Sequence, residues 1–206
     1  MEELKLNETP VRTSRNFNIN NIKLENINIP EDVEEFNNIE IIGQDPKIDI
    51  QTNVDDFNLT YGLGEILTSQ VKAKSNKKMK IVVNSKIKND LQINFNIDEK
   101  NLNLIENIEI VANENTKSTI ILKYESINDI EAFHNGIINL IAKQNSKINV
   151  IIINLLSQNS NNFLSIQNTF AENADAKFTI VDFGGKNSIT NYYSNLIGDC
   201  SNNILN

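Results

Sequence analysis

The alternation of apolar and polar residues changes character along the chain. After Lys80 the apolar residues recur with a period of two, which is typical of half-buried β-strands. The strands predicted from this pattern include Ile81–Val83, Leu91–Ile97, Ile108–Val111, Thr119–Leu122, Ile137–Ile141 and Val150–Leu155. Between Gly62 and Lys74 the apolar residues fall at helical spacing instead, so one amphipathic helix is expected there. Isoleucine dominates the apolar residues, and its branched side chain favours sheet over helix.

The first 60 residues lack either pattern. They hold all three prolines, and the acidic residues Glu31, Asp32, Glu34 and Glu35. This composition predicts that residues 1–60 form an extended, loop-rich arm, with one short helix from Pro30 to Phe36, because proline can open the first turn of a helix. Residues 61–78 are then the helix and a linker, and residues 79–206 are the β core.

The β core contains an internal repeat, in which a polar turn with a lysine separates two apolar strands. The copies are ANENTKSTIIL from Ala112, AKQNSKINVII from Ala142 and AENADAKFTIV from Ala171, and a weaker fourth copy starts at Ile197. Their lysines are thirty residues apart: Lys117, Lys147 and Lys177. Strand pairs at a fixed period predict a solenoid, in which each coil buries its apolar face by stacking on its neighbours. A Greek-key sandwich is the alternative, but it does not require the same turn chemistry in every repeat.

Composition restricts the function. The net charge of -8 and the pI near 4.8 disfavour a nucleic-acid surface, which would need clustered basic residues. The basic patch from Lys72 to Lys80 is interpreted as a solvated face. A single cysteine, Cys200, excludes an intrachain disulfide, and no signal peptide or membrane-spanning run is recognisable, so a cytoplasmic protein that does not bind membranes is expected.

No catalytic, cofactor-binding or metal-binding residue is assigned from the sequence. Cys200 has no basic neighbour in sequence and is expected to take a structural turn position. His134, in AFHNG, is expected on a connection between coils and at the surface, because no second histidine or suitably spaced cysteine accompanies it. The triplet Asp182-Phe183-Gly184 has the letters of the kinase D-F-G motif, but no H-R-D catalytic loop precedes it, so the match is interpreted as chance. Gly184-Gly185 is interpreted as a turn between coils.

The order of strand, polar lysine turn and strand, followed by NTFAENA and FGGK, resembles the core of the SufB/SufD proteins of iron–sulfur cluster assembly. The segments that carry this resemblance are Ile108–Leu122, Gly136–Leu155, Ser165–Ile180 and Val181–Lys186, with a looser, SufD-like similarity over Thr9–Glu25. The resemblance implies a right-handed parallel β-helix that pairs with a SufB/SufD-type subunit and docks the ATPase SufC. It implies no cofactor in this chain, since the full complex handles the cluster transiently and ATP acts through the partner. No cluster ligand can be matched to a residue here.

Two functions from different classes are therefore weighed. The first is a non-catalytic scaffold subunit of the Suf system. The second is a secreted-type carbohydrate-binding or lyase β-helix, which the lack of a signal peptide and the confinement of both arginines to the N-terminal arm disfavour. The chain ends at Asn206 inside a predicted coil, so a core truncated at its C-terminal end is expected, with homo-oligomers forming through residues 190–206.

Overall fold

The structure is a computed structural model that describes residues 4–6, 22–52, 54–55 and 62–206. Its elements are β1 (Leu4–Leu6), β2 (Ile22–Leu24), β3 (Ile39–Ile42), β4 (Ile48–Thr52), α1 (Glu65–Lys74), β5 (Lys77–Val83), β6 (Leu91–Ile97), β7 (Asn103–Ala112), β8 (Lys117–Ser126), β9 (Phe133–Ala142), β10 (Lys147–Leu155), β11 (Asn161–Phe170), β12 (Asp175–Asp182), β13 (Asn187–Leu196) and β14 (Asn202–Leu205). No helix of the described residues is long and apolar enough to cross a membrane.

The strands from β5 onward form a solenoid of two facing sheets. One sheet has the order β14-β12-β10-β8-β6-β3, and the other has the order β13-β11-β9-β7-β5-β4. Each coil contributes one strand to each sheet, and equivalent strands of successive coils pair in parallel. The predicted solenoid is therefore confirmed, because a Greek-key sandwich would give antiparallel neighbours.

The main core lies between the two sheets. Alternate residues of each strand point inward, as the pleat requires, and stack on their equivalents in the next coil. Ile120, Val150 and Phe178 are one such row, and each is completely buried. Because each row continues through several coils, the apolar face of one coil is buried only by its neighbours.

Strands β3 and β4 close the N-terminal end of the solenoid. They pair antiparallel with β6 and β5, respectively, so each sheet ends in one reversed strand. Phe36 fills the opening between the sheets, where it is 1% exposed and its ring centroid lies 6.4 Å from that of Phe95. The predicted short helix from Pro30 to Phe36 is wrong: this segment is non-helical, and its end is an apolar plug for the first coil.

We call the sheet that contains β5, β7, β9, β11 and β13, with β4 at its end, the odd-numbered sheet. Its outer face is covered by α1 and by the β1–β2 pair. Leu6, Leu67 and Val71 pack there on a second apolar cluster that includes Phe133 and Phe163. The helix predicted between Gly62 and Lys74 is confirmed over Glu65–Lys74, although Ile66, one of the apolar residues at helical spacing, is exposed. Strands β7, β9 and β11 are consequently buried on both faces over most of their length.

In the four coils from β7–β8 onward, the repeated corner has a left-handed backbone at one residue. That residue is Asn115, Asn145, Asn173 and finally Cys200, with φ between 55° and 59°. Asparagine tolerates this conformation better than most residues, which explains its recurrence. The fourth, weaker copy is confirmed, because β14 pairs with β12. The constant lysine spacing does not correspond to one structural position: Lys147 is opposite Lys117, but it is opposite Asp175 in the next coil, since that coil is two residues shorter.

Candidate functional site: a polar cluster inside the solenoid

A cluster of polar side chains interrupts the apolar core between the two sheets. Glu106 on β7 and His134 on β9 point inward from the odd-numbered sheet, and both are 0% exposed. Tyr124 on β8 points toward them from the facing sheet and is 1% exposed. Its ring stacks on the imidazole with centroids 4.4 Å apart, and on Phe95 at 5.0 Å. Buried groups of this kind need mutual partners, and these three provide them.

The carboxylate of Glu106 is the centre of the cluster. Its Oε1 accepts a hydrogen bond from the Tyr124 hydroxyl at 2.5 Å and lies 3.3 Å from His134 Nε2. Its Oε2 is buried and has no hydrogen-bond partner. Burial is the main cause that raises the pKa of Tyr124 well above its usual value of 10.0, and the charge of Glu106 and the hydrogen bond to it add to the effect.

A chain of hydrogen bonds leads from His134 through Asn162 and Ser188 to the exposed side chain of Asp182. Ser188 Oγ donates its one proton to the exposed carboxylate of Asp182 at 2.5 Å, so it must accept from Asn162 Nδ2 at 2.8 Å. Asn162 therefore presents its Oδ1 to His134 Nδ1, 2.7 Å away. That nitrogen must carry a proton in order to donate. The polarity of the chain thus selects the protonated form of Nδ1.

The other ring nitrogen faces the centre of the cluster. His134 Nε2 lies 3.3 Å from Glu106 Oε1, the same oxygen that accepts the hydrogen bond from the Tyr124 hydroxyl. Both ring nitrogens of His134 therefore have a buried oxygen atom as a neighbour, so the imidazole is held from both sides.

Gly136 makes the close approach of these groups possible. A Cβ at this position would lie 2.8 Å from Glu106 Oε1 and 2.9 Å from His134 Nε2. Such distances are shorter than ordinary carbon contacts, so any side chain would displace one of the two groups. Gly136 is the register partner of Glu106 and lies two residues after His134 on the same strand. The cluster therefore requires glycine at position 136.

The expectation for His134 is wrong on both counts. It lies within strand β9 rather than on a connection, and it is completely buried rather than at the surface. Sequence reasoning missed Glu106 and Tyr124 altogether. The one available signal was the two-residue period of the strand: in LIENIEI, Glu106 lies between Leu104 and Ile108, which both point into the core, so its side chain must point inward as well.

The other residues singled out from the sequence lie elsewhere. Cys200 is a free, exposed cysteine at the left-handed corner of the last coil, which confirms its turn position. Gly184-Gly185 connects β12 to β13, as predicted. The basic patch is only partly solvated, since Lys77 is 7% exposed and Lys80 forms an ion pair with Glu109 at 2.7 Å. Within the described ranges, no group of three or more histidine, cysteine, aspartate or glutamate residues could hold a metal ion.

The last coil leaves an apolar edge exposed. Strands β13 and β14 are at the ends of their sheets, each paired with one neighbour in the described structure. Four large apolar side chains in and around these strands are 46% to 65% exposed: Leu196, Ile197, Ile204 and Leu205. An exposed edge with apolar residues is a template for pairing with another strand.

Comparison with known proteins agrees with this architecture. The family model of the SufBD core domain, described as SUF system FeS cluster assembly, matches residues 95–206, which is more than half of the chain. This stretch covers the solenoid from within β6 to the last strand and includes Glu106, Tyr124 and His134. No curated protein matches the chain significantly. With stacked parallel coils and a family match over more than half of its length, the chain belongs to the SufBD core-domain family of SUF-system iron–sulfur cluster assembly proteins.

Proposed function

We propose that this chain is a non-catalytic scaffold subunit of the Suf system, which holds the partners that supply sulfur, electrons and ATP hydrolysis. The single observation that carries the proposal is the family match over residues 95–206. In this role the chain pairs with a SufB/SufD-type subunit, docks the ATPase SufC and acts in the cytoplasm. The iron–sulfur cluster is cargo of the full complex, and the chain itself keeps no cofactor.

The exposed edge of β13 and β14 supports a role in pairing. A second solenoid of the same kind could add its own edge strands there and extend both sheets, which would cover Leu196 and Leu205. In the absence of a different subunit, a second copy of this chain can occupy the same edge. Association through residues 190–206 therefore follows from the same geometry as the heteromeric pairing.

Co-purification tests the proposal. The chain is expressed with SufB-type and SufC subunits of the same organism, and recovery of at least one of them is expected. Recovery of neither would contradict the scaffold role. A Leu205→Lys variant places a charge on the exposed edge and should weaken the pairing, whereas Ile127→Lys, at a somewhat more exposed isoleucine away from the last coil, should not.

Light scattering over a range of concentrations tests self-association separately. Wild-type protein should show a rising mass with concentration, and the Leu205→Lys variant should stay monomeric. A monomer at high concentration for the wild type would contradict association through the last coil. The alternative function as a carbohydrate-binding or lyase β-helix has only the general solenoid shape in its favour, and uronate-polymer cleavage by the purified chain would revive it.

A further inference from the structure

Two of the three repeat lysines line a surface groove for which the proposed function has no use. The groove has a volume of about 320 Å³ and lies at the corner where the turns lead into β8 and β10. We call it the lysine groove and define it by its lining residues, Lys86, Asn115, Thr116, Lys117, Asn145 and Lys147. This set contains three positive charges and no carboxylate.

The lysines are held close together by the strand register. Lys117 and Lys147 are directly opposite each other on the parallel strands β8 and β10, whose spacing is about 4.8 Å in a sheet. Like charges on directly opposite residues destabilise a sheet. A chain with 27 acidic and 19 basic residues thus places two lysines directly opposite each other, where repulsion opposes folding.

Only one of the two lysines has an opposite charge beside it on the described sheet, since Asp175 on β12 is opposite Lys147. Among the described residues, none of Lys86, Lys117 and Lys147 forms an ion pair, although Lys80 and Lys123 do pair with glutamates elsewhere on the solenoid. A fourth cation adds to the charge, because Lys47 Nζ donates to the backbone carbonyl of Lys86 at 3.2 Å. The groove is therefore a positively charged site on an acidic protein, and its three ammonium groups are available to bind an anion.

The uncharged residues of the groove supply directed hydrogen bonds. Asn145 Nδ2 donates to Asn115 Oδ1 at 3.3 Å, which leaves Asn115 Nδ2 as a donor at the rim. Thr116 Oγ1 already donates its only proton to the carbonyl of Asn113 at 2.6 Å, so Asn115 is the uncharged residue that can donate to an anion here. Three ammonium groups and one amide match an oxyanion with several charges, and lysine binds phosphate groups as a point charge.

The neighbouring groove shows why the site is confined to this corner. It shares Lys117 and Lys147 but adds Asp175 and Lys177 on the β12 side. A carboxylate at its wall repels an anion, and the shortened repeat has moved Lys177 away from the row. We propose that the lysine groove binds a phosphate-type oxyanion, either free or as the terminal phosphate of an ester, and thereby neutralises Lys117 and Lys147.

Binding of pyrophosphate to the full chain tests this proposal. Isothermal titration and thermal unfolding are measured at constant ionic strength, with sodium chloride replacing the anion. The test variant is Lys117→Gln with Lys147→Gln. The matched control is Lys72→Gln with Lys100→Gln, which removes the same charge from two exposed lysines outside the groove.

Three results are expected if the lysine groove binds a phosphate-type oxyanion. Pyrophosphate binds the wild type and the control and raises their unfolding temperatures, while the test variant binds at least about tenfold more weakly, which is about 1.4 kcal/mol. Without ligand, the test variant is about as stable as the wild type, because the substitutions remove both the repulsion between Lys117 and Lys147 and the attraction between Lys147 and Asp175. Inorganic phosphate binds more tightly than acetate, since it carries more charge.

Other outcomes would overturn the proposal. If pyrophosphate does not bind the wild type at millimolar concentration, or if the test and control variants lose affinity equally, the groove is not a specific site. A last arm separates the two sources of phosphate: tighter binding of a nucleotide than of pyrophosphate supports an ester, and equal or weaker binding supports the free anion.

Discussion

Substitution of Gly136 by alanine gives a direct test of the buried cluster. The new Cβ would lie 2.8 Å from Glu106 Oε1, 2.9 Å from Glu106 Cγ and 2.9 Å from His134 Nε2. Both side chains are completely buried, so neither can move into solvent. The change must therefore displace the carboxylate, the imidazole or the backbone of β9.

The expected loss of stability follows from three contributions. Overpacking a core costs about 1–3 kcal/mol. Complete loss of a hydrogen bond to a group that can be charged costs about 1.5–3 kcal/mol, and weakening it costs less. Replacing glycine restricts the unfolded chain and returns about 0.4–1 kcal/mol. We expect a net loss of about 2–4 kcal/mol, which lowers the unfolding temperature by about 5–15 °C for a chain of this size.

A double-mutant cycle separates the side-chain clash from any effect on the backbone. Urea and thermal unfolding are followed by circular dichroism for Gly136→Ala, Glu106→Ala and the double variant. Glu106→Ala removes two of the three close contacts, so Gly136→Ala should cost less than about 1 kcal/mol in that background. An equal cost in both backgrounds would refute the reasoning, as would wild-type stability of the single variant.

Two further predictions concern ionisation and backbone strain. Because the raised pKa of Tyr124 keeps the folded tyrosine neutral while the unfolded one ionises near pH 10, its stabilising effect is present below about pH 10 and is lost as pH rises further. The stability difference between wild type and Tyr124→Phe should therefore shrink above pH 10, and a constant difference in unfolding temperature would contradict this. At the left-handed corners, Asn173→Ala should cost about 1 kcal/mol and Asn173→Gly much less, whereas Cys200→Asn should stabilise by up to about 1 kcal/mol. Equal stability of the alanine and glycine variants in urea unfolding would contradict the role of the corner backbone.

The repeat could be recognised from the sequence because turn chemistry and strand period are local properties. Each corner needs a residue that tolerates φ near +57°, and asparagine marks three of the four positions. The pairing register of the strands could not be predicted from the sequence in the same way. Lys177 continues the thirty-residue spacing, yet the coil before it is two residues shorter, and only strand pairing shows that Asp175 takes the equivalent position.

The candidate site was hidden for a different reason. An isolated histidine in AFHNG is usually exposed, and the alternation in β9 does not reveal which face points inward, because α1 and the β1–β2 pair bury the outer face as well. Glu106 and Tyr124 are on different strands, and their contact is made only when the two sheets face each other. A buried carboxylate is recognisable only once its partners are known.

The sequence by itself determined the mainly β character, a helix between Gly62 and Lys74 and the stacking of similar coils, because each depends on residue periods and turn residues that are local in sequence. Tertiary structure decided which face of each strand is inside, how the N-terminal strands close the solenoid, and where charges meet. Those features depend on contacts between residues distant in sequence. The stacking of Lys117 on Lys147 and the meeting of Glu106 with His134 both arise from register, which is a property of the assembled sheets.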